Sequence, residues 1–282
     1  MSTGASAGRT FLVTGANSGI GRTLSDALAA DGGAVVLAAR SEERTQPVLR
    51  AILERHPGAD CRFLQVDVSD FASVRRAAAA FLAGGQRLDV LVNNAGVAGT
   101  NALNPGGYDL TYATNHLGPF LLTNLLLPRL MESPGARIVN VSSTANYQVK
   151  AIDWSWLEPR QAVVRSGFSA YAATKLMNVM HAKALARRLE GTRVTTYSLH
   201  PGAVATDIWR ALPAPLQWVI KLFALSEEAG ARTSFYCATA PELAGVSGRY
   251  YDKCKERVPN PLAERVELVD ELWRRSQAAT QG

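Results

Sequence analysis

The sequence predicts a doubly wound α/β fold, with a mostly parallel sheet of seven strands and helices on both faces. Three observations carry this expectation. Short, uninterrupted apolar runs recur along the chain, stretches of helical spacing separate them, and a Gly-rich turn joins the first run to the first helix. The chain has 282 residues, of which 47% are hydrophobic and 19% charged, enough apolar material for a large core and too much for disorder. Length alone allows one domain or two. No internal repeat or low-complexity linker divides the sequence, so a single domain over 1–282 is expected.

The elements follow in order. Residues 10–14 form a first strand, and 19–30 have the spacing of a helix. A second strand is expected at 34–39, a polar helix at 42–56, a third strand at 62–66 and an Ala-rich helix at 71–82. Residues 90–92 lead a fourth strand into Asn93-Asn94-Ala95-Gly96. A fifth strand at 137–142, a long helix at 171–189 and a sixth strand at 193–199 come next, with a last strand near 248–251. Leu262, Val266, Val269, Leu272 and Trp273 lie at the spacing of an amphipathic C-terminal helix that covers the domain.

Charge and cysteine content narrow the function classes. Lys and Arg outnumber Asp and Glu by 30 to 24, a net charge of +6. The sequence pI is near 9.4. Such a balance raises nucleic acid, an anionic membrane or a phosphorylated ligand as partners. The excess is +1 over residues 1–141 and +5 over 142–282, spread thinly without a basic block, which argues against nucleic acid. Cys61, Cys237 and Cys254 are odd in number, far apart and without ligand spacing, as expected of reduced thiols in the cytoplasm. His56, His116, His181 and His200 show no ligand spacing either, so no metal site is expected. Neither a signal peptide nor a membrane span is expected; the most apolar stretch, 212–225, is short and contains two prolines, Gln217 and Lys221.

The turn Gly15-Ala16-Asn17-Ser18-Gly19-Ile20-Gly21 follows the first strand and opens the first helix. Backbone N–H groups at a positive helix N-terminus can approach a pyrophosphate closely only where side chains are missing. The spacing is Gly-x3-Gly-x-Gly, which departs from the common dinucleotide fingerprint. On its own it could equally be a structural tight turn. Thr14 to Gly21, Asn93-Asn94-Ala95-Gly96 and Tyr171-Ala172-Ala173-Thr174-Lys175, in this order over about 160 residues, resemble the motifs of the short-chain dehydrogenases/reductases. The His200-Pro201-Gly202-Ala203-Val204-Ala205-Thr206 run, the Ser247 to Tyr251 segment and Leu176-Met177-Asn178 after the Tyr–Lys motif resemble the retinol-dehydrogenase-like branch.

The resemblance implies a Rossmann fold that binds NAD(H) or NADP(H) and transfers hydride between a carbonyl and an alcohol carbon. It places Gly15, Asn17, Ser18, Gly19, Ile20 and Gly21 at the cofactor phosphates, Asp67 and Val68 at the adenine, and Asn93, Ala95 and Gly96 along the cofactor. Pro201, Gly202, Val204 and Thr206 fall at the nicotinamide amide. An acidic residue after strand two would bind ribose hydroxyls and repel a 2′-phosphate. Here Ala39 is followed by Arg40 and Ser41, and a guanidinium suits a phosphate, so NADP(H) is expected over NAD(H). Arg40 could instead simply solvate its loop, with Glu42 or Glu43 on the ribose.

Tyr171 and Lys175 are four apart, on one face of a helix. A phenol titrates near 10, and a neighbouring ammonium favours its ionised form. On spacing alone such a pair is more often a solvated helix face; what the pair could do makes Tyr171 the expected acid/base and Lys175 its electrostatic tuner. The resemblance makes Ser143 the hydroxyl on the substrate oxygen, with Ser142 the fallback, and gives Asn115 a water-binding role in a relay through Lys175; Tyr171 and Lys175 also touch the cofactor. The 28 residues from Ser143 to Tyr171 exceed the family's usual spacing, through an insertion at 146–167 that the retinol-dehydrogenase-like branch shares. Asn146 stands where that branch often has His.

Residues 208–225, with Trp209, Trp218 and Phe223, read as a substrate lid, a core-packing or partner surface, or a weak membrane contact. A lid of this composition favours a lipophilic alcohol/carbonyl substrate. The rival from another class is a non-catalytic NADP(H)-sensing or scaffold protein on the same fold, which would be expected to lack reacting residues. Homo-oligomers are common in the family, but no oligomeric state is legible in the chain.

Overall fold

The computed structural model describes residues 4–160, 167–202 and 226–281. The expectations for Val204, Thr206 and the 208–225 segment lie outside them. One sheet organises the chain. Its strands are β1 (Thr10–Thr14), β2 (Ala34–Ala39), β3 (Cys61–Gln65), β4 (Val90–Asn93), β5 (Arg137–Val141), β6 (Thr195–His200), β7 (Arg249–Asp252) and β8 (Lys255–Arg257). They run in the order β3-β2-β1-β4-β5-β6-β7-β8. The first seven are parallel, and β8 pairs antiparallel with β7.

The seven expected strands are therefore present and an eighth is added. Lys255, Glu256 and Arg257 are all exposed and show no apolar alternation, so no period marks them as a strand. A tight turn makes the strand: Lys253 and Cys254 both adopt positive φ, 51° and 59°, and fold the chain back onto β7.

Strand side chains alternate between two cores. Phe11 and Val13 of β1 face Leu24 and Leu28 of α1 (Gly19–Ala30), Ile52 of α2 (Glu42–Arg55) and Phe235 of α7 (Glu227–Thr239). Leu12 faces Val74 and Phe81 of α3 (Phe71–Ala83), Leu122 and Leu126 of α5 (Gly118–Met131) and Leu185 of α6 (Gly167–Arg188). The C-terminal α8 (Val266–Thr280) lays Val269 and Leu272 against Met177 and Met180 of α6. It starts four residues later than the spacing predicts, because Asn260 caps a 3-10 turn, Pro261–Glu264, ahead of it. Among the described residues no helix is long and apolar enough to cross a membrane.

Two further differences bear on the site. The helix carrying Tyr171 begins at Gly167, and Asn115 sits on a π-helical turn, Ala113–Leu117, between the short α4 (Leu110–Tyr112) and α5. The insertion is packed where it is described. Trp156 stacks on Tyr112 at 5.3 Å, and the Arg160 guanidinium lies 4.0 Å over the Trp156 ring.

Chain order reverses across β1: β2 and β3 lie on one side, β4 onwards on the other. The carboxyl ends of β1 and β4 thus border a crevice, the usual ligand position in such sheets. At its rim α5 starts directly against the loop after β3, since a Cβ on Gly118 would overlap the Val68 carbonyl oxygen. Gly118→Ala is expected to lose at least about 2 kcal/mol in urea unfolding, because the obstacle is backbone. Gly84→Ala, where a Cβ meets the flexible end of Gln86 at 3.0 Å, should stay within about 1 kcal/mol of the parent.

Candidate active site

The two turns at the crevice are stitched together by one buried hydroxyl. Thr14 Oγ1 accepts from the N–H groups of Asn94 and Ala95, both at 3.0 Å, and donates to the Val92 carbonyl. Asn94 Nδ2 returns a bond of 2.8 Å to the Thr14 carbonyl. Gly15 has φ +67°, and a Cβ there would lie 3.0 Å from Ala95 Cα. A Cβ on Gly21 would overlap the Gly15 carbonyl oxygen and lie 2.6 Å from Asn94 Nδ2. Glycine at 15 and 21 is thus dictated by the approach of α1 and the β4 turn to the β1 turn.

The N-terminus of α1 is left open. Ser18 is extended and makes no side-chain cap, and the first turn carries no acidic residue. By contrast Ser41, Asp70 and Ser226 cap α2, α3 and α7. Uncapped N–H groups, the positive helix end and a side-chain-free turn fit the pyrophosphate of a dinucleotide. Asn17, Ser18, Gly19 and Ile20 lie on that turn and helix start. The crevice wall at β4 is formed by Asn93, Ala95 and Gly96. Asn93 is buried, and its amide donates to Thr123 Oγ1 and Asn140 Oδ1, both at 2.9 Å. It ties β4 to β5 and α5, so any cofactor contact here falls to the backbone and to Ala95 and Gly96.

At the far rim the Arg40 guanidinium stands 3.7 Å from Asp67 Oδ2, with 68% of its side chain exposed. The other Asp67 oxygen accepts from the Ser69 N–H and hydroxyl, at 3.0 and 2.7 Å. Asp67 shapes this turn while Asp70 caps α3, accepting from Ala72 N–H at 3.0 Å. Val68 is buried. Ser41 Oγ accepts from Arg44 N–H at 3.2 Å and keeps its own proton for another acceptor.

The candidate reacting groups gather where β5 and β6 end. Tyr171 and Lys175 are both buried on α6, and Lys175 Nζ lies 5.5 Å from the Tyr171 ring centroid. Lys175 donates to the Val141 carbonyl at 3.0 Å, an acceptor it shares with Asn178 Nδ2 at 3.1 Å. Burial raises the Tyr171 phenol to about 12, and a hydrogen bond with Ser143 works against that rise. Burial also lowers Lys175 to about 8. In the protein alone desolvation outweighs the attraction expected from Lys175, and Tyr171 is a phenol at neutral pH.

The two serines part company. Ser142 is buried and donates to the Lys175 carbonyl at 2.6 Å, fixing α6 to β5. Ser143 is less buried, accepts from Ala145 N–H at 3.2 Å and bonds Tyr171. Asn115 is fully buried on its π turn. Its Oδ1 accepts from Val97 N–H at 2.8 Å, and its Nδ2 donates to the Val97 carbonyl and to Thr174 Oγ1 at 2.9 and 3.0 Å. The side chain thus braces the β4 turn against α6. At the end of β6, His200 Nδ1 accepts from Thr144 N–H at 3.3 Å, Pro201 is buried and Gly202 has φ +97°. His116 bonds Ser276 at 2.8 Å, and burial lowers it to about 3, so it is neutral.

Several residues here escaped the sequence reading. Thr14, Asn94 and Asn178 stand in the motifs quoted above without a bonding role, and Asn260 stands in none; their partners are remote in sequence, so neither composition nor period marks the bonds. Asn146 stands at a position associated with substrate contact in the resemblance, yet it is fully buried. Among the described residues no three His, Cys, Asp or Glu side chains group closely enough to hold a metal.

Comparison with known proteins agrees with this geometry. Residues 9–155 match the family model described as short chain dehydrogenase. The chain is 39% identical over 279 residues to Dehydrogenase/reductase SDR family member 13 of Bos taurus, covering 96% of this chain and 72% of that one. It is 38% identical over 287 residues to human Retinol dehydrogenase 14, covering 94% and 84% of the two chains. Among solved structures, a putative uncharacterized protein from Mycobacterium Paratuberculosis superposes with a TM-score of 0.78 at 29% identity, over 98% of this chain and 94% of its own. The sheet order, the glycine-cleared crevice and these relatives make the chain a member of the short-chain dehydrogenase/reductase family, in its retinol-dehydrogenase-like branch.

Proposed function

We propose that the protein, acting as one domain, is an NADP(H)-dependent oxidoreductase that interconverts a lipophilic alcohol and its aldehyde or ketone. The observation that carries this reading is the Tyr171 phenol, buried, bonded to Ser143 and with its ring 5.5 Å from the Lys175 ammonium. A nicotinamide dinucleotide held by the Gly15–Gly21 turn supplies the hydride donor or acceptor. Pro201 and Gly202, at the end of β6, bound the nicotinamide side.

In reduction, Tyr171 donates its proton to the carbonyl oxygen as the carbon accepts hydride. The Ser143 hydroxyl orients that oxygen by hydrogen bonding. Lys175, when charged, stabilises the phenolate that remains. Asn115, whose side chain braces the β4 turn against α6, takes the water-binding role in a proton relay through Lys175. Oxidation runs the same steps backwards, with ionised Tyr171 taking the alcohol proton. Two features support a lipophilic substrate. Exposed Phe168 stands near the centre, its ring 5.8 Å from that of Tyr171, and the similar proteins include several named retinol dehydrogenases. A cytoplasmic setting suits the three free cysteines.

The assignment is tested by NADPH oxidation with a panel of retinoid, steroid, quinone and aliphatic carbonyls. Tyr171→Phe should cut turnover by about 10³-fold or more while NADPH still binds; retained turnover removes Tyr171 from the mechanism. Cofactor binding without turnover on the whole panel would favour the sensing role. Arg40 supports the NADP(H) preference, as its exposed guanidinium can meet a 2′-phosphate. Arg40→Asp should reverse the ratio of kcat/KM for NADPH over NADH, and a wild-type preference for NADH would overturn the assignment. Because Lys175 loses its charge as pH rises through about 8, kcat/KM for carbonyl reduction should be flat from about pH 6 to about pH 7.5 and fall above that. A profile flat to about pH 10 would remove Lys175 as the charge that balances the phenolate.

A further inference from the structure

Ser143 sits on a loop, and a reacting hydroxyl on a loop needs external support to hold its place within a few tenths of an ångström. That support comes from far along the chain. Asn146, on the 3-10 turn Thr144–Gln148, is fully buried. Its Nδ2 donates to the Ser143 carbonyl at 2.7 Å and to the Tyr250 hydroxyl at 3.3 Å. Its Oδ1 accepts from the Asn260 N–H at 3.1 Å, and its own carbonyl accepts from Asn260 Nδ2 at 2.8 Å. Asn260 is also buried; its Nδ2 gives a second bond, to the Val149 carbonyl at 2.8 Å, and its Oδ1 accepts from Leu262 N–H at 2.9 Å.

Every polar atom of both side-chain amides is thereby engaged, and each orientation is forced. The Ser143 carbonyl can only accept and the Asn260 N–H can only donate, so the Asn146 amide has one possible sense. The donors of Asn260 face two carbonyls, which fixes it likewise. A carboxylate of the same shape at either position would set oxygen against oxygen, and an apolar residue would leave buried backbone groups unpaired.

We propose that Asn146 and Asn260 form a two-amide clasp through which the segment preceding α8 positions Ser143 for its bond with Tyr171. Both are positioning residues, since neither touches the reacting atoms. The clasp rests on the catalytic reading of Ser143 and Tyr171 given above, and it adds a source of precision at the opposite end of the sequence. It also explains how Asn can stand at position 146: the buried amide acts on the Ser143 backbone, away from the substrate. Among the described residues the groups facing Tyr171 include Ser143, Lys175, Tyr250 and Phe168, and the hydrogen bond with Ser143 draws its phenol down. Displacing Ser143 therefore has a signature in pH as well as in rate.

The test is a double-mutant cycle on the full chain, with carbonyl reduction and alcohol oxidation followed in Asn146→Ala, Ser143→Ala and the pair. Asn146→Ala should lower kcat by about 10- to 100-fold, as a shift of about 1 Å does. NADPH affinity should stay within about twofold, and the rise of oxidation rate with pH should move to higher pH, as in Ser143→Ala. Added to Ser143→Ala, Asn146→Ala should cost less than about twofold more, because its effect runs through a hydroxyl already removed. Multiplicative losses in the pair, or a wild-type kcat for Asn146→Ala, would overturn the clasp. Should Asn146→Ala fail to fold, Asn260→Ser keeps a side-chain oxygen for Leu262 N–H, removes the two amide donors, and is read in the same cycle. Retained activity in Tyr171→Phe would instead count against the catalytic reading. The clasp is then judged by the crystal structure of Asn260→Ser, in which a Ser143 Oγ displaced by less than about 0.5 Å overturns it.

Discussion

The backbone-to-backbone approach at the ends of β1 and β4 is the constraint on which the rest of the structure depends. Gly15 and Gly21 bring two turns and a helix start together with no side chain between them, and the Thr14 hydroxyl holds the β4 turn by its N–H groups. With the turns locked, α1 points its uncapped end into the crevice. The open helix end is thus a by-product of close packing, which is why a binding surface for an anion and a folding constraint reside in the same few residues.

Burial is the second organising force, and it acts on Tyr171 and Lys175 in opposite directions. Removing water favours the neutral form of each, so the phenol holds its proton more firmly and the ammonium less firmly. The two values are brought to about 12 and about 8 by the same desolvation, so a group that can donate sits beside one that remains cationic at neutral pH. Val141 adds to this by accepting from Lys175, which orients the ammonium under β5. The Ser143 hydroxyl, hydrogen-bonded to the phenol, works against the rise at Tyr171.

Much of this was legible in the sequence, for a physical reason. Strands buried on both faces favour unbroken apolar runs, so β1, β2 and β4 declared themselves, and the alternation with amphipathic helices gave the winding. The Gly15–Gly21 turn and the Tyr171–Lys175 spacing were equally visible, because close approach and a shared helix face restrict residue type at fixed intervals. What escaped notice obeys no interval. The charged β8 is made a strand by the turn before it, and Asn146 and Asn260 meet across more than a hundred residues. Desolvation dominates at Tyr171 because its burial comes from Ala98, Ala145 and Val149, remote in sequence, and a four-residue spacing carries no measure of it.

The edge formed by Lys255, Glu256 and Arg257 has a consequence for the life of the chain before and after folding. A seven-stranded parallel sheet ending at β7 would expose the backbone of Tyr250 and Tyr251, two buried aromatic residues, as a template for strands from other molecules. The short hairpin covers that edge with three charged residues and leaves only a brief stretch of backbone open. Parallel sheets assemble slowly because their contacts span long stretches of chain, so unpaired edges persist while they form. The hairpin closes locally within a few residues and therefore protects the sheet's last strand from lateral growth into aggregates.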